Sequence, residues 1–106
     1  MSAPQFRSTR PGSQSVDLVQ AIKDGLAPDG GLYVPEVFPS LAPEDFHECQ
    51  TITEVGIRLL QPFFNGSKLE QALPQICQHA FGFPITLVPT RDVNVRILEL
   101  FHGPTA

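Results

Sequence analysis

Lysine, histidine and cysteine are the residues of this chain best suited to covalent or metal chemistry. The three histidines, His47, His79 and His102, share no metal-ligand spacing with one another or with the two cysteines. A lysine that forms a Schiff base needs a desolvated site that lowers its pKa. Lys23 and Lys68 lie among polar residues in helical patterns, so we expect neither to be catalytic and predict no metal site.

The end of the sequence holds two candidate site residues. Val95–Phe101 is rich in branched apolar residues and predicts a strand, which Gly103-Pro104 ends. His102 closes this strand and is either a hydrogen-bonded structural histidine or a residue that lines a site. Thr105 is either the N-cap of a following helix or a hydroxyl that touches cofactor or substrate.

Two polar segments near the start could contact an anion. Ser8, Thr9 and Arg10 offer two hydroxyls and a guanidinium, and the alternative is that they belong to a disordered arm. Gly30-Gly31 is the only double glycine and could be a ligand cradle or a structural turn. It leads into a strand rather than a helix, which favours the turn.

Composition excludes several classes of protein. The formal charge is −4 and the seven basic residues are scattered, so we expect no nucleic-acid and no membrane partner. The first fifteen residues contain no apolar segment typical of a secretory signal. The widely spaced Cys49 and Cys77 are interpreted as buried free thiols, which together predicts a cytoplasmic protein.

Helical patterns follow four start signals. Asp17 with Gln20, Thr51 with Glu54, and Ser67 with Glu70 are predicted capping boxes, and Pro43 suits a first helical position. The pattern after Thr51 is the clearest, and we expect Leu59 in its middle to be buried. Pro74 should kink or split the last helix.

The strands complete a predicted α+β fold. Ile85–Val88 and Val95–Phe101 form a predicted hairpin, to which Leu32–Val34 could add a third strand. The result is a small, mainly antiparallel sheet of about three strands, packed with three to four short helices. We expect residues 1–15 to be an extended arm and residues 16–106 to be the domain.

Three ordered motifs resemble those of threonine synthases, which are pyridoxal-phosphate enzymes of fold type II. Glu99–Thr105 is similar to the family's E-L-F-H-G-P-T run, and Gly25–Pro35 to its G-L-A-P-D-G-G-L-[FY]-[VI]-P run. Ser8–Arg10 resembles its S-T-R-G, although Pro11 stands where glycine is usual. The resemblance covers nearly the whole chain.

The resemblance implies a function for a longer protein. In the family the E-L-F-H-G-P-T run continues as x-A-F-K-D, and that lysine carries pyridoxal phosphate. On this pattern Ala106 is the x, so the lysine lies beyond residue 106. The whole enzyme would convert O-phospho-L-homoserine and water to L-threonine and phosphate, whereas this segment alone would be inactive and bind no cofactor.

The implied partners are the rest of the same polypeptide, with its cofactor-binding domains, and the small-molecule substrate of the full enzyme. Phe81, Phe83 and Phe101 are candidates for the apolar surface that such a partner would cover. We expect the isolated chain to self-associate or to bind that remainder. Two other functions stay open: a related phospho-lyase for another phosphorylated amino acid, and a free-standing non-catalytic interaction module.

Overall fold

The computed structural model describes residues 3–101. Its α-helices are Leu18–Asp24 (α1), Ile52–Phe64 (α2) and Leu73–Ala80 (α3). Its strands are Phe6–Ser8 (β1), Tyr33–Pro35 (β2), Thr86–Pro89 (β3) and Arg96–Glu99 (β4). Short 3-10 turns at Pro43–Phe46 and Glu70–Ala72 precede α2 and α3. The predicted α+β class is confirmed.

The strands form two separate antiparallel pairs among the described residues, β1 with β2 and β3 with β4. The predicted hairpin is confirmed, with Leu87 opposite Leu98. The predicted partner of the Leu32–Val34 strand was wrong, because Val34 lies opposite Arg7 of the N-terminal segment. The sequence did not predict β1, because a strand of three residues is too short for its alternation to be recognised. Phe6 of this strand is nevertheless buried in the core.

Local signals set the helix starts. Asp17 caps α1 by accepting a hydrogen bond from the backbone N–H of Gln20 at 2.9 Å, but the Gln20 side chain donates to Asp24 instead of returning. The predicted capping box of α1 is therefore only half formed. At α2 both halves are present, since Thr51 and Glu54 each accept from the other's backbone N–H.

Proline divides the last helical segment as predicted. Pro74 lies in the first turn of α3, where its missing N–H would have no helical partner. The preceding residues form the 3-10 turn instead. The predicted capping role of Ser67 at an α-helix was wrong, because its hydroxyl donates to the Phe64 carbonyl and accepts from the N–H of Leu69 within the connecting turn.

The core lies where β1, α1, α2 and α3 meet. Its buried members are Phe6, Leu18, Ala21, Phe64, Leu73 and Cys77. Burial raises the pKa of the Cys77 thiol, as expected for a structural cysteine. Gly56 of α2 is buried because the ring of Phe81 packs against it, and an added Cβ would lie 2.6 Å from that ring.

The expected burial of Leu59 was wrong, since 49% of its surface is exposed. The face of α2 that meets the core is built from Gly56, Ile57, Leu60, Phe63 and Phe64. Successive helical residues are separated by about 100° around the axis, so Leu59 points well away from Leu60. The apolar face of α2 is therefore wider than the part of it that the rest of the core covers, and Leu59 lies on the uncovered part.

The hairpin of β3 and β4 extends from this body. The radius of gyration is 17.1 Å, whereas a compact domain of this length has about 13 Å. The long axis of the molecule is 53 Å and the other two are 29 and 24 Å. Apart from pairing with each other, the two strands make only sparse contacts with other elements.

Truncating Leu73 should test the position of the core. Leu73→Ala removes a side chain that is 2% exposed, and we expect a loss of about 2–5 kcal/mol in the free energy of unfolding. Leu59→Ala is the matched control and should cost less than about 1 kcal/mol, since its site is half exposed. Urea unfolding of both variants measures the difference, and equal losses would contradict this core.

Candidate functional site

Asp29 is the polar centre of the N-terminal half. Its carboxylate accepts hydrogen bonds from the hydroxyl of Ser8 at 2.7 Å, from the N–H of Gly31 at 2.9 Å and from the N–H of Gly12 at 3.0 Å. These donors come from the N-terminal segment and from the turn that follows α1. The carboxylate therefore joins two segments about twenty residues apart in the sequence.

The residues proposed for an anion contact are engaged around this carboxylate. The Ser8 hydroxyl also accepts from the N–H of Arg10, and Arg10 Nη1 donates to the Asp29 carbonyl, both at 3.0 Å. The Thr9 hydroxyl accepts from the N–H of Leu32 at 3.0 Å. Ser8 is buried, while Thr9 and Arg10 are exposed. Of the three, Arg10 has the most remaining capacity to contact a ligand.

The two glycines of the turn serve different needs. Gly30 has a φ of +83°, which a residue with a Cβ rarely adopts. At Gly31 an added Cβ would collide with the Ser8 hydroxyl. Both N–H groups are used inside the turn, that of Gly30 by the Ala27 carbonyl and that of Gly31 by Asp29. This geometry favours the structural turn over a ligand cradle.

The hydrogen bonds determine the protonation of Asp29. The Ser8 hydroxyl and the N–H groups of Gly31 and Gly12 lower the pKa of the carboxyl below its ordinary value of 3.8. The group is thus ionised at neutral pH. Its negative charge lies next to Ser8, which makes that hydroxyl a poorer anion ligand than its residue type predicts.

A groove of about 560 Å³ runs along the same segment. It is lined by Arg7, Ser8, Thr9, Arg10, Pro11, Ser13, Ser15 and Val34. Arg7 and Arg10 bring two guanidinium groups to its wall. The anion contact at residues 8–10 stays a prediction, which this groove makes sterically feasible.

Of the other predicted residues, none that the structure describes lines this groove. His102 and Thr105 fall outside the described residues. Lys23, Lys68, His47 and His79 are exposed. Within residues 3–101 no group of three His, Cys, Asp or Glu side chains is placed to hold a metal ion.

Sequence reasoning missed two features. No role was predicted for Asp29, although an aspartate before Gly-Gly is a recognisable signal for a side chain that caps its own turn. Lys23 and Lys68 line one cavity of about 330 Å³ together with Asp17. They are forty-five residues apart in the numbering, so no local pattern associates them.

None of the helices in the described part of the chain has the length and apolar character needed to span a membrane.

The family of this chain is shown by a match over most of its length. A family model described as the threonine synthase N terminus matches residues 5–81, which is more than half of the chain. The chain therefore belongs to the threonine synthase N-terminal family.

Individual relatives agree with this assignment. The chain is 33% identical to a threonine synthase of Pseudomonas aeruginosa over 95% of its own length and 23% of that protein. It is 38% identical to threonine synthase-like 1 of Mus musculus over 81% of its length and 13% of that protein. A solved structure of pyridoxal-phosphate-bound threonine synthase from Brucella melitensis matches 97% of the chain and 24% of its own length, with a TM-score of 0.80 and 33% identity. The chain thus spans about a quarter or less of these relatives.

Replacing Asp29 should reveal its contribution through pH. Because its folded-state pKa is lowered, the carboxylate contributes stability above the ordinary value of 3.8 and loses it as the pH falls through the folded-state value. We expect Asp29→Asn to be less stable than the parent by a constant amount above about pH 5, with the gap narrowing below pH 3.8. Urea unfolding of both proteins over this range measures the gap, and a gap independent of pH would contradict the assignment.

Proposed function

We propose that this chain is the N-terminal part of a threonine synthase that converts O-phospho-L-homoserine and water to L-threonine and phosphate. The observation that carries the proposal is the match of nearly the whole chain, in sequence and in fold, to about a quarter of the length of such enzymes. The three motifs found in the sequence support the same proposal. The reaction itself would require the remaining part of the enzyme.

The described residues do not fit pyridoxal phosphate. A Schiff-base lysine must be desolvated, whereas Lys23 and Lys68 are exposed. The N–H groups of Gly30 and Gly31, which could have cradled the phosphate, are used within their own turn. We therefore assign the cofactor, which supplies an electron sink for carbanions, to the remainder of the enzyme and derive no catalytic step from this chain.

The role proposed for this chain is structural support, with one candidate substrate contact. Arg10 is exposed beside the groove and keeps N–H groups that no Asp29 oxygen uses. Phosphate and carboxylate groups of the substrate are the anions that a guanidinium recognises well. Ser8 and Thr9 would contribute indirectly, by fixing the backbone that carries Arg10.

A related phospho-lyase is the second candidate function. The 38% identity with threonine synthase-like 1 over 81% of the chain supports keeping this alternative. The groove at residues 7–15 could contact an anionic group, which every phosphorylated amino acid has. The choice among such substrates would therefore be made by the remainder of the enzyme. The free-standing interaction module has no described feature in its favour.

Location and partners are also proposals. Cys49 and Cys77 are free cysteines, which fits a reducing compartment such as the cytoplasm. The cofactor-binding part of the enzyme is the partner we propose, and we propose no nucleic-acid or membrane partner. The absence of a nucleic-acid partner from this proposal rests on charge, since the chain has seven basic and eleven acidic residues.

The isolated chain should form no specific adduct with pyridoxal phosphate. After incubation with the cofactor and reduction by borohydride, we expect only slow, substoichiometric labelling of exposed amines, because no lysine of the described chain is desolvated. Mass spectrometry measures the adduct. One stoichiometric adduct at Lys23 or Lys68 would show that the chain carries its own cofactor site.

A hybrid enzyme tests the proposed function. This chain would replace the matched N-terminal segment of the Pseudomonas aeruginosa threonine synthase, and O-phospho-L-homoserine would be supplied. We expect the hybrid to release phosphate and form threonine, whereas the same enzyme without any N-terminal segment should not. A folded, cofactor-loaded hybrid that makes no threonine but uses another phosphorylated amino acid would favour the related phospho-lyase.

A further inference from the structure

Each face of the hairpin of β3 and β4 carries an apolar cross-strand pair, next to Arg96 on one face and to Thr86 and Glu99 on the other. Successive side chains of a strand point to opposite sides, so the pair Leu87–Leu98 lies on one face and the pair Val88–Ile97 on the other. Leu87 is 56% exposed, Ile97 55% and Leu98 50%. Strands with apolar residues on both sides are typical of sheets that are covered on both sides.

The body of the molecule is complete without this hairpin. Every member of the core, including the partly buried residues packed against it, lies between Phe6 and Phe81. The family model also ends at residue 81. A two-stranded hairpin alone is marginally stable in water, so the described contacts within this chain do not explain why it is ordered.

The solved relative indicates where the missing contacts come from. The match to the Brucella melitensis enzyme covers 97% of this chain, so it includes the hairpin as well as the body. The hairpin makes only sparse contacts with the other elements of this chain. A shared orientation of two parts that hardly touch requires support from outside the matched segment, and that segment is only 24% of the relative.

We infer that the β3–β4 hairpin belongs structurally to the remainder of the enzyme, which covers both of its faces, and that the N-terminal domain proper ends between Phe81 and Ile85. The inference rests on the proposed function, because it takes the remainder of a threonine synthase as the partner. Its chemistry would be an apolar surface on each side of the hairpin, extending over the exposed Leu100 and Phe101. The expected domain of residues 16–106 would thus consist of two structural parts.

Hydrogen exchange of the isolated chain at a few micromolar is the first test. The amides of α2 and α3 should exchange at least about 100-fold more slowly than those of β3 and β4, because the hairpin lies outside the cooperative unit. Equal protection of hairpin and body would overturn the inference. A dimer in sedimentation whose hairpin amides are protected would assign the hairpin to a second copy and would also overturn it.

Substitutions compare the isolated chain with the hybrid enzyme described above. Leu98→Ser should leave the melting temperature of the isolated chain unchanged and lower that of the hybrid, where the hairpin is covered. Val93→Ser is the matched control, since Val93 is 88% exposed in the hairpin turn and should affect neither protein. A loss in the isolated chain as large as in the hybrid would overturn the inference.

Exchange in the hybrid separates this inference from the proposed function. Slowed exchange of the hairpin amides in a hybrid that makes no threonine would support the inference while counting against the function. A hybrid that makes threonine while its hairpin amides still exchange as fast as in the isolated chain would support the function and overturn the inference.

Discussion

The described fold depends on the way one carboxylate holds the N-terminal strand. Asp29 accepts from Ser8 on one side and from Gly31 on the other, and these bonds fix β1 beside the turn that leads into β2. With β1 in place, Phe6 enters the core and meets α1, α2 and α3. Hydrogen bonds to a charged acceptor are stronger than those between neutral groups, which makes a short strand pair of this kind stable enough to persist.

The same interaction explains the glycines of this segment. Gly31 must lack a side chain because the Ser8 hydroxyl occupies the space that a Cβ would need. Gly30 supplies the positive φ that reverses the chain. The glycine pair, for which the sequence favoured a structural turn over a ligand cradle, is therefore accounted for by the approach of β1, and the neighbouring polar residues are accounted for by Asp29. Of Ser8, Thr9 and Arg10, Arg10 keeps the most capacity to contact a ligand.

Sequence predicted the parts of the fold that local chemistry determines. The capping box of Thr51 and Glu54 and the division at Pro74 each depend on residues a few positions apart. The pairing of β1 with β2 and the buried face of α2 depend on distant segments, which periodicity does not identify. The error at Leu59 arose because the helix is apolar over a wider arc than its neighbours cover.

The candidate site was likewise predictable only in part. Residue types at positions 8–10 predicted an anion contact, which stays a prediction, and only the distances show that Ser8 and Thr9 already have partners. The hairpin shows the opposite case, since its runs of branched apolar residues predicted β3 and β4, while the surface that we propose covers them lies outside this chain. A core confined to residues 6–81 and an apolar hairpin without cover are together what a segment of a larger enzyme should have. The residues that stabilise the body, between Phe6 and Phe81, are then different from the hairpin residues that would contact the remainder of the enzyme. A substitution in one set can therefore change stability or assembly without changing the other.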